Sequence, residues 1–149
     1  MSLKEKIKDD IKQAMRDKNE SRLSTLRMLR AAIQRREVDE RIQLDDTQVI
    51  AVIEKLVKQG RESIEQYVKG GRQELADKES GEIAVFQAYL PQQLSEVEID
   101  KLVAEAIAGT GASSVKDMGK VMGVLKPKLQ GRADMGQVGG KVKNKLGAA

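Results

Sequence analysis

Cysteine, histidine and tryptophan are absent from this chain, and proline occurs only twice. Each absence closes a class of chemistry. Without cysteine there is no disulfide framework and no thiolate metal site. Without histidine the commonest general base and the commonest metal ligand are missing. Neither a Ser–His–Asp nor a Cys–His arrangement can be assembled within the chain. Zinc lacks its usual nitrogen and sulfur donors. Carboxylates are plentiful but scatter over helix faces, so the residues name no catalytic set, no metal site and no cofactor. No apolar run approaches the ~20 residues of a membrane span, so no membrane association is expected. The first residues, MSLKEKIKDD, lack the apolar core of a signal peptide. The expectation is a cytoplasmic protein.

What is present points to helices. Charged residues make up 34% of the chain, apolar residues 40% and aromatics 2%. Strands favour aromatic and β-branched residues, so this balance argues for amphipathic helices. Ser2 with Glu5 reads as a capping box. Leu3, Ile7, Ile11 and Met15 then recur along one face. A second helix is predicted over residues 21–38, striped by Leu23, Leu26, Leu29 and Ile33. Met28 and Ala32 fall on its other side, which predicts burial around most of its circumference. Asp45 or Asp46 caps a third helix to about residue 69, with Val49, Ile53, Leu56, Ile64 and Tyr67 inward. Gly60 occupies one position of that stripe and marks a close crossing or a bend. A fourth helix carries Leu75, Ile83, Phe86 and Leu90, and Pro91 stops it. LPQQLSE is the predicted domain boundary, and Ser95 with Glu98 forms a second capping box. A fifth helix follows, then a sixth running through Val115, Met118, Met122, Leu125 and Leu129, with Pro127 disturbing its end. Asp134 caps a seventh, with Met135, Val138, Val142 and Leu146 inward. The predicted fold is all-α. A four-helix N-terminal domain, residues 1–92, precedes a small three-helix C-terminal domain, residues 93–149.

Glycine and positive charge concentrate in the tail. Nine of the 13 glycines lie at or beyond Gly109, and that stretch holds eight Lys/Arg against two Asp/Glu. A basic surface confined to one small domain is the electrostatic footprint of a nucleic-acid binder, and also that of a solvated face. No aromatic residue follows Tyr89, so the tail has no platform for stacking unpaired bases. RNA bound there would be read by shape and phosphate contacts on a folded surface. Gly119 and Gly123 share a helix face. They read either as packing residues or as a bare backbone that lets a phosphate come close. Arg22, Arg27, Arg30, Arg35, Arg36 and Arg41 of the second helix have Glu37, Asp39 and Glu40 near them and read as a partly paired surface.

The segments DMGKVMG, KPKLQGRAD and VKNKL resemble the C-terminal domain of the GatB/YqeY family. LSTLRMLRAAI, KQGRESIEQY and YLPQQLSEVEI extend the resemblance to free-standing YqeY-like proteins over nearly the whole chain. Gly60 and Met135 depart from the family pattern. The resemblance implies two all-α domains and kinship with the tail of the B subunit of tRNA-dependent amidotransferase. In that subunit the helical tail contacts tRNA, while transamidation sits in a separate, larger domain that nothing here resembles. Carried onto matching positions, the resemblance implies nucleic-acid contacts at Lys120, Lys126, Lys128 and Arg132. Lys141 and Lys145, one turn apart on the last helix, join them by charge. Gly119, Gly123 and Gly131 would allow close backbone approach, and Asp117 and Asp134 read as helix caps.

Three readings follow. The first is a tRNA-binding accessory protein without the catalytic domain. The second is a protein-interaction module acting through its N-terminal helices. The third is a carbon–nitrogen ligase using glutamine as amido donor, for which the residues specify no carboxylate pair.

Overall fold

The structure is a computed structural model that describes residues 1–147. Among the described residues it holds seven α-helices, one 3-10 turn and no strand, which establishes the all-α class. Contacts divide the chain into two compact units, Met1–Leu90 and Pro91–Ala149.

The first unit contains α1 (Leu3–Arg16), α2 (Glu20–Glu40), α3 (Asp46–Lys69) and α4 (Gln73–Gln87). Its helix starts follow the predicted chemistry. Ser2 and Glu5 form the capping box of α1, and Asp45 caps α3 reciprocally with Gln48. Such caps satisfy backbone N–H groups that a helix cannot satisfy internally. The core gathers Ile7 and Ile11 of α1, Leu26 and Leu29 of α2, Ile53 of α3 and Phe86 of α4.

Two predicted inward residues face solvent instead. Met15 is exposed and Ala14 is buried in its place. A four-residue spacing drifts about 40° per step on a helix of 3.6 residues per turn, so Met15 ends far round from Leu3. Met28 is also exposed, and α2 buries one face only, through Thr25, Leu26, Leu29 and Ile33.

Gly60 marks a close crossing. A Cβ built on it would lie 2.9 Å from Cγ1 of Ile83, so α3 meets α4 almost backbone to side chain there. Gly60→Leu is expected to destabilise the unit by about 2–3 kcal/mol through overpacking, read by urea unfolding. α4 ends at Gln87, and 3-10-type bonds carry the turn on to Leu90, next to Pro91. The buried Tyr89 hydroxyl donates to Asp10 Oδ2 at 2.5 Å, tying this end to α1. Burial, then that hydrogen bond, raise the tyrosine pKa.

The second unit contains α5 (Glu96–Thr110), a 3-10 turn (Val115–Asp117), α6 (Met118–Leu129) and α7 (Met135–Gly147). Ser95 and Glu98 form the predicted box. Val115 does not continue the stripe of α6. Asp117 accepts from the Ser113 and Ser114 N–H groups and closes a tight turn before that helix begins. Asp134 accepts from the Gly136 and Gln137 N–H groups at the head of α7, as a cap should. Pro127 sits in the last turn of α6, where its missing N–H leaves one carbonyl without a helical partner, and the helix ends two residues later. The core is built by Val103 of α5, Val121, Leu125 and Leu129 of α6, and Val138, Val142 and Leu146 of α7.

Candidate nucleic-acid interface

The buried row of α6 is Val121, Leu125 and Leu129. Residues four apart share a helix face, so Gly119, Gly123 and Pro127 form a second row turned away from the core. All three are exposed. A Cβ built on Gly119 or Gly123 would meet nothing within 4 Å. These glycines are therefore not packing residues within their unit, and the packing alternative fails for them. They leave a strip of bare helix backbone open to solvent.

Lysines flank the strip. At about 100° per residue, Lys120 and Lys126 lie on opposite sides of Gly123. Lys128 continues the row of Lys120 through Val124. All three lysines are exposed, and none forms an ion pair among the described residues. Lys126 and Lys128 also occupy the last turn, where positive charge suits the negative end of the helix dipole. On α7, Gly136 and Gly140 repeat the pattern of exposed glycine four apart, with Lys143 exposed beside them. The periodicity already carried this signal: positions 119, 123 and 127 alternate with 121, 125 and 129 along the helix.

The fold uses the other predicted residues differently. Gly131 is buried and adopts φ +78, so it serves the turn and offers no surface for close approach. Its carbonyl accepts from Gln93 Nε2 at 2.6 Å. The Arg132 carbonyl accepts from the Leu94 N–H at 2.9 Å, and its Nε donates to the Gln92 carbonyl at 3.3 Å. The GRAD turn is thus clasped to the QQL segment, with Arg132 half-buried. Lys141 is engaged as well, with Glu96 at 2.7 Å and Asp100 at 2.8 Å. The sequence placed little acid near the tail lysines, because these acids stand on α5, about forty residues upstream. Lys145 is exposed and its charge helps to lower the Asp100 pKa.

This clasp has a pH signature. The hydrogen bond from Lys141 holds the Asp100 carboxyl below its ordinary pKa, and hydrogen bonds to Asp100 and Glu96 raise that of Lys141. The Asp100 contribution is present above the ordinary carboxylate pKa and lost as pH falls through the lowered value. The Lys141 contribution is present below the ordinary lysine pKa and lost as pH rises through the raised one. Lys141→Met is therefore expected to cost stability at neutral pH and to cost progressively less as pH falls through the lowered Asp100 value, where that carboxyl protonates. Urea unfolding over a descending pH series checks it. The effect is small, because both acids are largely exposed and solvent screens them.

Among the described residues no group of three from His, Cys, Asp and Glu gathers to hold a metal ion, and no helix is long and apolar enough to cross a membrane. A family profile described as Yqey-like protein matches residues 4–146. The chain belongs to the Yqey-like family. A relative from Pyrenophora tritici-repentis, named altered inheritance of mitochondria protein 41, mitochondrial, is 32% identical over 146 residues. That alignment covers 96% of this chain and 80% of the relative. Proteins of the same name from Eremothecium gossypii and Vanderwaltozyma polyspora are 38% identical over 103 residues and 29% over 120. These alignments cover 68% and 75% of this chain, and 56% and 64% of those relatives, less than two thirds of their length. All three names carry the word mitochondrial, which overturns the expectation of a cytoplasmic protein.

Proposed function

We propose that the second unit is a tRNA-docking module that grips the phosphate backbone through the outer face of α6. The observation that carries this reading is the open strip at Gly119 and Gly123, set between Lys120 and Lys126 and extended by Lys128. An exposed glycine inside a helix destabilises it by about 1 kcal/mol relative to alanine, so Gly123 in mid-helix, in one row with Gly119, needs a reason outside the helix. Close approach of an anionic backbone supplies one: no side chain keeps it away, and lysines meet it from both flanks. Lys143 and Lys145 extend the basic surface on α7. Arg132 and Lys141 act as positioning residues that hold the turn and α7 in place.

The family resemblance supports tRNA as the folded RNA, because the corresponding tail of the amidotransferase B subunit contacts tRNA. On this reading the chain is an accessory binder, and the carbon–nitrogen ligase chemistry belongs to the larger subunit. With no aromatic platform in the unit, folded RNA should be preferred to unpaired RNA. The test is a binding titration of the full chain with bulk tRNA and with poly(U) across a salt series. The reading requires tighter binding to tRNA and a linear fall of log affinity with log salt. Equal affinity for both RNAs, or no salt slope, rejects it.

A further inference from the structure

The proposal concerns the face of α2 that the core does not use. Met28 and Val38 are 40 and 75% exposed, and Ala31 is exposed between them. Positions 28, 31, 35 and 38 step by three and four in alternation. That is the spacing of a seam that packs along another helix. The inner face of α2 already meets α1, α3 and α4 through Leu26, Leu29 and Ile33. The outer seam belongs to neither hydrophobic core. Beside it, Ala31 and Ala32 open onto a groove of roughly 840 Å3 whose α3 wall includes Ala51, Val52 and Leu56. Arg35, Arg36, Asp39, Glu40, Lys55 and Gln59 complete its lining.

The charge around the seam has one sign in excess. Arg35 sits within it, with Arg27 along one edge and Arg41 at the C-cap of the helix. Among the described residues Arg27 and Arg41 form no ion pair, and Arg35 reaches only Asp39, at 3.9 Å, both widely exposed. The nearby acids are largely occupied elsewhere. Glu37 accepts from Lys4 and from the Leu44 N–H, and Glu40 pairs with Arg36. An apolar seam that holds an arginine asks for a partner with apolar and acidic residues.

We propose that the outer face of α2 docks an acidic amphipathic helix of a partner protein. A second copy of this chain does not fit. Two such faces brought together would double the excess positive charge of Arg27 and Arg35. An RNA backbone would use the arginines but has no use for exposed Val38.

The test uses the full chain and a labelled synthetic peptide helix with leucine at its seam positions and glutamate on its flanks. A lysine-flanked counterpart is the control. The acidic peptide should bind, more weakly at higher salt, and the lysine peptide should not. Met28→Gln/Val38→Gln should weaken binding by about tenfold or more, since two apolar contacts are lost. Both sites are exposed, so helix content by circular dichroism should hold. Arg35→Gln should weaken it too, and Lys120→Gln/Lys126→Gln/Lys128→Gln should leave it unchanged, which separates this proposal from RNA binding by α6. Failure of the acidic peptide to bind overturns it, as does equal binding to the Met28/Val38 variant or equal binding of the lysine peptide. Self-association lost on Met28→Gln/Val38→Gln, or α2-dependent binding of tRNA or of anionic vesicles in place of the peptide, would also overturn it.

Discussion

Exchanging Lys120, Lys126 and Lys128 together for glutamine is expected to lower the affinity for folded tRNA about a hundredfold near 0.15 M salt. Each phosphate that a lysine neutralises releases close to one condensed counterion, and the gain per contact grows as salt falls. A slope near 0.9 per contact gives about fivefold per lysine at that salt, and three such factors compound to on the order of a hundred. The slope of log affinity against log salt should become shallower by about 2.7 at the same time. Two readouts moving together distinguish lost phosphate contacts from a disturbed fold. A charge-matched control, Lys8→Gln/Lys12→Gln/Lys55→Gln in the first unit, removes the same net charge from exposed helix positions. It should leave both affinity and slope nearly unchanged. An equal loss in the control would mean that the protein binds RNA only as a diffuse polycation.

Leu125→Ala is expected to remove a large part of the stability of the second unit at 25 °C. Leu125 is fully buried in the middle of the inner row of α6, between Val121 and Leu129 and opposite residues of α5 and α7. Truncating a buried leucine costs about 2.7–5 kcal/mol, depending on how far the site collapses. A unit of roughly sixty residues has on the order of 3–9 kcal/mol of stability in total. The loss therefore takes from about a third to all of it. Hydrogen exchange should show protection falling across α5, α6 and α7. RNA binding should weaken although every lysine is retained. Val124→Ala, one residue away on the exposed side, should change stability by under about 0.5 kcal/mol. If the amides of α6 stay as protected in Leu125→Ala as in the wild type, the inner row does not hold this unit together.

Particular residues show what the sequence made legible. Ser2 with Glu5, and Ser95 with Glu98, could be read because a capping box is local, with both partners three residues apart. Gly60 could be read because a glycine inside an otherwise apolar stripe has few explanations, and the approach of Ile83 supplies the one that applies. Met15 was misread because a short stripe spaced by four imitates a straight face while it rotates. The pairing of Lys141 with Glu96 and Asp100 was hidden because it depends on how α7 returns along α5, which no local pattern encodes. Gly131 was misassigned for a related reason. Its motif position was plain, but its burial and positive φ belong to a turn closed by distant Gln93 and Leu94. Gly119 and Gly123 gave the converse case. Glycine has no side chain to reveal its face, and only the apolar row of Val121, Leu125 and Leu129 shows that they point outward.

The glycine strip offers the most direct measurement: thermal melting and tRNA titration of Gly119→Ala/Gly123→Ala beside the wild type. Nothing lies within 4 Å of either added Cβ, so alanine fits both positions. Each exchange should stabilise the exposed helix by up to about 1 kcal/mol and raise Tm. If the bare backbone is where the phosphates approach, the same variant should bind tRNA more weakly despite its greater stability and unchanged charge. A variant that melts higher and binds tRNA as tightly as the wild type would contradict the account, because the open strip would then have no part in RNA recognition.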